Sequence, residues 1–163
     1  MVTLHRPSNV DDPTTLDILL NELLNVAQKM DLIWPLHPRT KARIESLGRM
    51  DELLANEGIH LMGPLGYIDF MNGIMHAKCV ITDSGGIQEE TTWLGVPCIT
   101  LRPNTERPIT ITKGTNVLAT PETLQMELKK IEQHSTAHQH EIEFWDGKTA
   151  QRCVHSLEQF LKR

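Results

Sequence analysis

Short apolar runs alternate with longer amphipathic stretches along nearly the whole chain. Val2–His5 is followed by a helical pattern over Thr14–Met30, Leu32–Leu36 by one over Thr40–Leu47, and Ile59–Met62 by one over Tyr67–His76. Cys79–Thr82 then leads into Ile87–Leu94, Pro97–Leu101 into a proline-rich turn, and Asn116–Ala119 into Pro121–Gln133, with a last helix over Lys148–Leu161. Apolar runs this short, separated by helices, predict an α/β fold: a parallel sheet covered by helices on both faces. In such sheets the ligand sits outside the carboxyl ends of the strands.

That rule collects the polar residues following each strand on one edge. His5-Arg6 follow the first, His37-Pro38-Arg39 the second, Pro64-Leu65-Gly66 the third, Ser84-Gly85-Gly86 the fourth, and Arg102 to Arg107 the fifth. Two histidines and several arginines on one rim predict a site. Taken singly, each has a plainer reading. His5 would cap the next helix, His37-Pro38 would form a turn, and Arg102 and Arg107 would be solvated.

The most specific stretch is Thr82-Asp83-Ser84-Gly85-Gly86-Ile87-Gln88-Glu89-Glu90. Gly85 and Gly86 lack a Cβ, so their N–H groups can approach an anion closely, with the positive end of a helix dipole behind them. Glu90 lies one turn beyond Gly86 and leans back toward the glycines. A diphosphate would repel that carboxylate, which makes ribose hydroxyls its better partner. The alternative is an ordinary strand-to-helix turn, with Glu89 and Glu90 as first-turn acids complementing the dipole. The spacing matches neither a P-loop nor a GxGxxG fingerprint.

Length and composition bound the rest. At 163 residues, 39% hydrophobic, the chain is long enough for one domain over residues 1–163 and short for two. The net charge of −5 forms no basic stripe, and aromatics make up only 4%, which excludes nucleic acid as the main partner. No apolar run has membrane-spanning length, and no secretory signal pattern opens the chain. Cys79, Cys98 and Cys153 are widely spaced, two of them inside strand runs, so a reducing cytoplasm is expected. His134, His138 and His140 fall in one polar segment without a partner at ligand spacing, and read as a solvated loop rather than a metal site. Met1-Val2-Thr3-Leu4-His5 leaves almost no room before the functional end of the first strand. The chain is therefore expected to be a piece of a larger protein, with Val2 the first native residue and Met1 an added start.

With these residues in view, the chain resembles the C-terminal half of the UDP-N-acetylglucosamine 2-epimerases of the non-hydrolysing type. The resemblance runs from Thr3-Leu4-His5-Arg6-Pro7-Ser8-Asn9 to Trp145-Asp146-Gly147-Lys148. Its most specific blocks are Pro64-Leu65-Gly66-Tyr67, Thr82 through Glu90, Leu94-Gly95-Val96-Pro97, and Arg102 through Thr105-Glu106-Arg107-Pro108. It implies one Rossmann-like half of a two-domain GT-B architecture, with the N-terminal half absent and a homodimeric full-length parent. The implied activity interconverts UDP-GlcNAc and UDP-ManNAc by eliminating and re-adding UDP, as part of cell-envelope polysaccharide biosynthesis, with no metal or redox cofactor. Carried over by motif, Ser84, Gly85 and Gly86 would hold the diphosphate, Glu90 the ribose, and Phe70 would border the uracil. Arg107 and His5 would face the phosphate and sugar as catalytic groups, with Arg6 and His37 on the rim. The family's acid/base carboxylates would lie in the other half. Pro7-Ser8 after His-Arg, Pro38-Arg39 after His37 and Ile109 after Pro108 depart from one bacterial pattern, whose subgroup is activated by a second bound substrate.

Three alternatives share these features. A GT-B glycosyltransferase half would use the same glycine turn and helix glutamate, although the Thr105–Pro108 and His5-Arg6 blocks favour the epimerase. A hydrolysing relative would release free ManNAc and UDP. A UDP-sugar-binding domain without catalysis would fit the isolated chain.

Overall fold

In the computed structural model the described residues are 1–133 and 142–162. His134, His138 and His140 lie outside them. Among the described residues there are six strands: β1 (Val2–Thr3), β2 (Leu32–Pro35), β3 (Ile59–Met62), β4 (Val80–Thr82), β5 (Cys98–Leu101) and β6 (Asn116–Ala119). All pairings are parallel. Hydrogen bonds join β1-β4-β5-β6 in one block and β2-β3 in another, and β1 lies beside β2 where the blocks meet. The spatial order is β3-β2-β1-β4-β5-β6, so the chain winds outward on one side, returns, and winds outward on the other. The reversal falls between β1 and β4, the switch point of a Rossmann-like sheet.

Adjacent residues of a strand point to opposite faces, and the two cores follow from this. Ile81 joins a large cluster with Val2, Leu4, Trp34, Ile99 and the buried side of a long helix, while Val80 joins a smaller one with Ile74, Ile87 and Val96. That long helix, α2 (Pro13–Ala27), follows a four-residue α1 (Pro7–Val10). It begins where Asp12 accepts hydrogen bonds from the Thr15 amide (2.8 Å) and hydroxyl (2.7 Å), and it buries Leu16, Leu19, Leu20, Leu23 and Val26 along one stripe. Helices α3 (Pro38–Ser46) and α4 (Met50–Ala55) separate β2 from β3, and α5 (Tyr67–His76) separates β3 from β4. After β4 comes α6 (Gly85–Leu94), closed by Gly95, whose φ of 71° is left-handed as a helix stop requires.

The expected proline-rich turn after β5 contains a short helix, α7 (Ile109–Thr112). Like α1 and α4, it is too short for hydrophobic periodicity to reveal. A 3₁₀ turn (Pro121–Thr123) and α8 (Leu124–Gln133) follow β6, and α9 (Thr149–Leu161) comes last. Helix α9 buries none of its side chains and leaves Val154, Leu157 and Leu161 exposed.

Candidate functional site

The switch point is held by a buried carboxylate. Asp83, immediately after β4, has no solvent-exposed surface and reaches across to the end of β1. Its oxygens accept from the backbone N–H groups of His5 (3.1 and 3.0 Å) and Arg6 (2.8 Å), and from the Asn9 amide (3.1 Å), which also donates to the Leu101 carbonyl (3.0 Å). His5 Nδ1 lies 3.0 Å from Asp83 Oδ1. Burial pushes the Asp83 pKa up, but the hydrogen bonds from the His5 ring, the Arg6 amide, Asn9 and the His5 amide together outweigh it and hold the carboxyl below its ordinary value. An ionised carboxylate only accepts, so the His5 ring donates to Asp83 through Nδ1.

His5 is therefore clasped to Asp83 rather than capping α1, whose N-cap residue is Arg6. Its ring lies 5.6 Å from that of His37, the residues bringing together the ends of β1 and β2. His37 does cap a helix: its Nδ1 accepts from the Arg39 N–H at 3.1 Å, at the start of α3. Buried Thr40 ties that helix to β1 by donating its hydroxyl hydrogen to the Leu4 carbonyl. Arg39 on the same rim is engaged by Asp11.

Helix α6 starts on the glycine turn. Ser84 is its N-cap residue, yet the Ser84 hydroxyl makes no capping bond, so the first turn's amide donors are not satisfied by a side chain. Gly86 is exposed, and a Cβ there would meet nothing within 4 Å. Gly85 is buried beneath Arg107: a Cβ on Gly85 would stand 2.6 Å from Arg107 Nη1. A guanidinium thus lies beside the positive end of α6, over an uncapped glycine turn, an arrangement chemically suited to an anion.

Arg107 Nε lies 2.8 Å from Glu89 Oε2, within ion-pair range. The approach lacks hydrogen-bond angles, and the buried Nε has no hydrogen-bond partner among the described residues. Glu89 and Glu90 sit in the second turn of α6, which corrects their reading as first-turn acids. Arg102 is not solvated either. Its side chain is 10% exposed and forms a two-pronged pair with Glu106 (2.9 and 2.7 Å), whose carboxyl that pairing holds down to about 2.

Beside the glycine turn, Glu90 lines an open cleft of about 420 Å³ together with Glu89, Tyr67, Met71, Trp93 and Trp145. Phe70 is half-buried in the smaller apolar cluster, while Tyr67 and Met71 of the same helix line the cleft. Among the described residues no group of His, Cys, Asp and Glu is arranged to hold a metal ion, and no helix is long and apolar enough to cross a membrane.

The sequence pattern singles out the glycine turn, Glu90, Arg107 and His5, and gives no sign of the clasp that Asp83 and Asn9 form. Asp83 stood in plain view between Thr82 and Ser84. Its partners, however, are 74 to 78 residues away, and no local spacing signals them.

The strand order, with the arginine-backed glycine turn at its reversal, defines a Rossmann-like α/β domain. The family described as UDP-N-acetylglucosamine 2-epimerase matches residues 1–158, and the chain belongs to that family. Among its relatives, a UDP-N-acetylglucosamine 2-epimerase of Methanocaldococcus jannaschii is 42% identical over 120 residues, covering 72% of this chain and 33% of that protein. A UDP-2,3-diacetamido-2,3-dideoxy-D-glucuronate 2-epimerase of Pseudomonas aeruginosa is 40% identical over 122 residues, covering 72% and 32%. The crystal structure of M. jannaschii UDP-GlcNAc 2-epimerase in complex with UDP-GlcNAc and UDP superposes with a TM-score of 0.89 at 35% identity, over 97% of this chain and 44% of that one. The chain thus spans about a third of the length of the curated relatives it matches.

Proposed function

We propose that the chain is the UDP-binding, C-terminal half of a GT-B epimerase that interconverts UDP-N-acetylglucosamine and UDP-N-acetylmannosamine. The observation that carries this is the Arg107 guanidinium packed on Gly85 at the uncapped start of α6, in a chain of this family. In the reaction, the C2 proton and UDP are lost to give 2-acetamidoglucal. UDP then adds back at C1 as a proton returns to the opposite face of C2. Negative charge develops on the departing diphosphate, where the Gly85 and Gly86 N–H groups and Arg107 stabilise it without reorganising. Ser84 adds a hydroxyl, Glu90 accepts from the ribose, and His5, its Nδ1 engaged by Asp83, presents Nε2 to the sugar or leaving oxygen. Arg6 and His37 complete the rim, and Phe70 borders the base. The carboxylate that removes the C2 proton belongs to the other half.

The P. aeruginosa relative supports a second reading, the same C2 chemistry on a diacetamido uronate. The unpaired Cys79, Cys98 and Cys153 support a cytoplasmic setting. A homodimeric parent and a role in cell-envelope polysaccharide synthesis rest on the family resemblance. The test is exchange at C2 in deuterated water by the full-length parent, with UDP-GlcNAc and the diacetamido uronate offered separately and no sugar acceptor present. Exchange into UDP-GlcNAc is expected. Exchange into the uronate alone would establish the second reading, and turnover only with an acceptor would establish a glycosyltransferase.

A further inference from the structure

Behind the arginine loop, a run of buried polar side chains connects α6, β5 and β6. Gln88, Thr100, Thr110 and Asn116 are all buried to 2% exposure or less. Gln88 Nε2 donates to the Ser84 carbonyl (3.2 Å), while its Oε1 accepts from the Thr105 hydroxyl (2.6 Å) and from Asn116 Nδ2 (3.2 Å). Asn116 Nδ2 also donates to the Thr110 hydroxyl (3.2 Å), and Asn116 Oδ1 accepts from the Thr100 hydroxyl (2.6 Å).

The two threonines end on one residue. Thr105 Oγ1 accepts from the Arg107 N–H (3.0 Å), and Thr110 Oγ1 donates to the Arg107 carbonyl (2.8 Å). Thr105 and Thr110 each donate once and accept once, so the direction of every bond is fixed and neither amide can flip without breaking the set. By contrast, the Arg107 guanidinium is weakly anchored, with Glu89 at 2.8 Å outside hydrogen-bond angles and Glu106 at 3.9 Å. Its place over Gly85 is therefore set from its main chain.

We propose that Gln88 is a positioning residue that couples the glycine turn to Arg107, holding the Ser84 carbonyl with its amide nitrogen and the Arg107 loop, through Thr105, with its amide oxygen. Gln88 itself, buried beneath the turn, meets no ligand. The proposal deepens the UDP-binding reading and rests on it for the affinity measurements below.

Two kinds of measurement on the purified chain test it. In the ligand-free state, the Arg107 backbone amide and Nε–H resonances should shift or broaden in Gln88→Met and in Thr105→Val. Thr105→Ser, which keeps the hydroxyl, should restore them. Leu19 and Leu23 methyl signals report whether the core is intact. With UDP as the probe, Gln88→Met and Thr105→Val should each weaken binding about tenfold, the scale of one lost hydrogen-bond connection. In an Arg107→Ala background the same changes should have almost no further effect. Additive losses in the two backgrounds, or unmoved Arg107 resonances in a folded Thr105→Val, would overturn the proposal. If the parent chain fails to bind UDP at all, the functional reading fails, while the ligand-free spectra still decide the positioning role.

Discussion

Gly85 and Arg107 occupy space that only one side chain can fill: a Cβ at position 85 would lie 2.6 Å from Arg107 Nη1 and 3.1 Å from its Cζ. The obstructing atoms are the end of a flexible side chain, not backbone. Gly85→Ala should therefore fold with a melting temperature at or above the parent's, since alanine favours the helix start over glycine. Its guanidinium is displaced all the same, and UDP affinity should fall about tenfold, the scale of one hydrogen bond to a charged group. Calorimetry beside thermal unfolding would show stability and binding moving apart; unchanged affinity would remove Arg107 from the anion site.

Glu90 faces the cleft from the second turn of α6. Glu90→Ala should weaken UDP by about tenfold and leave a 2′,3′-dideoxyribose analogue unaffected, because only UDP offers the hydroxyls a carboxylate can accept from. Equal losses for both ligands in titration calorimetry would end the ribose assignment.

Asp83 satisfies two backbone amides, an Asn side chain and the His5 ring from a buried position. Asp83→Asn replaces an acceptor-only group by one that also donates, and should cost about 3 kcal/mol at neutral pH. The carboxyl's value is depressed in the folded chain, so its contribution is complete above the unfolded value and is lost as pH falls through the folded one. The stability gap between parent and variant should stay constant from neutrality to about pH 4 and narrow below it. Urea titrations across that range would read the gap, and narrowing already at pH 6 would contradict the assignment.

In the full-length parent, His5→Asn should lower kcat about 10²-fold with KM little changed, as expected of a group that acts mainly while UDP departs. Arg107→Ala should raise KM as well as lower kcat if, as proposed, its charge meets the diphosphate in both ground and transition states. Steady-state assays, with circular dichroism confirming the fold, separate the two. A His5→Asn enzyme with near-normal kcat would reduce His5 to a packing partner of Asp83 and His37.

The sheet was readable in advance because its information is local. Each of the six strands is an apolar run, and the rule placing ligands at strand ends gathered His5, Ser84, Gly85, Gly86 and Arg107 without any knowledge of strand order. Helices α1, α4 and α7 escaped because four to six residues carry no usable periodicity. The clasp at Asp83 and the amide of Gln88 escaped for another reason. Polar residues at helix starts and strand ends look solvated in a one-dimensional pattern, and their burial depends on partners 17 to 78 residues away.

The three tryptophans divide the molecule into two optical reports. Trp34 is sealed in the larger core, whereas Trp93, 58% exposed, and Trp145 border the cleft that Glu90 lines. Ultraviolet emission from the unmodified chain thus carries a buried component that changes only when the fold opens. Its solvent-facing component answers to whatever enters the cleft, so iodide quenching alone can distinguish an occupied domain from an unfolding one.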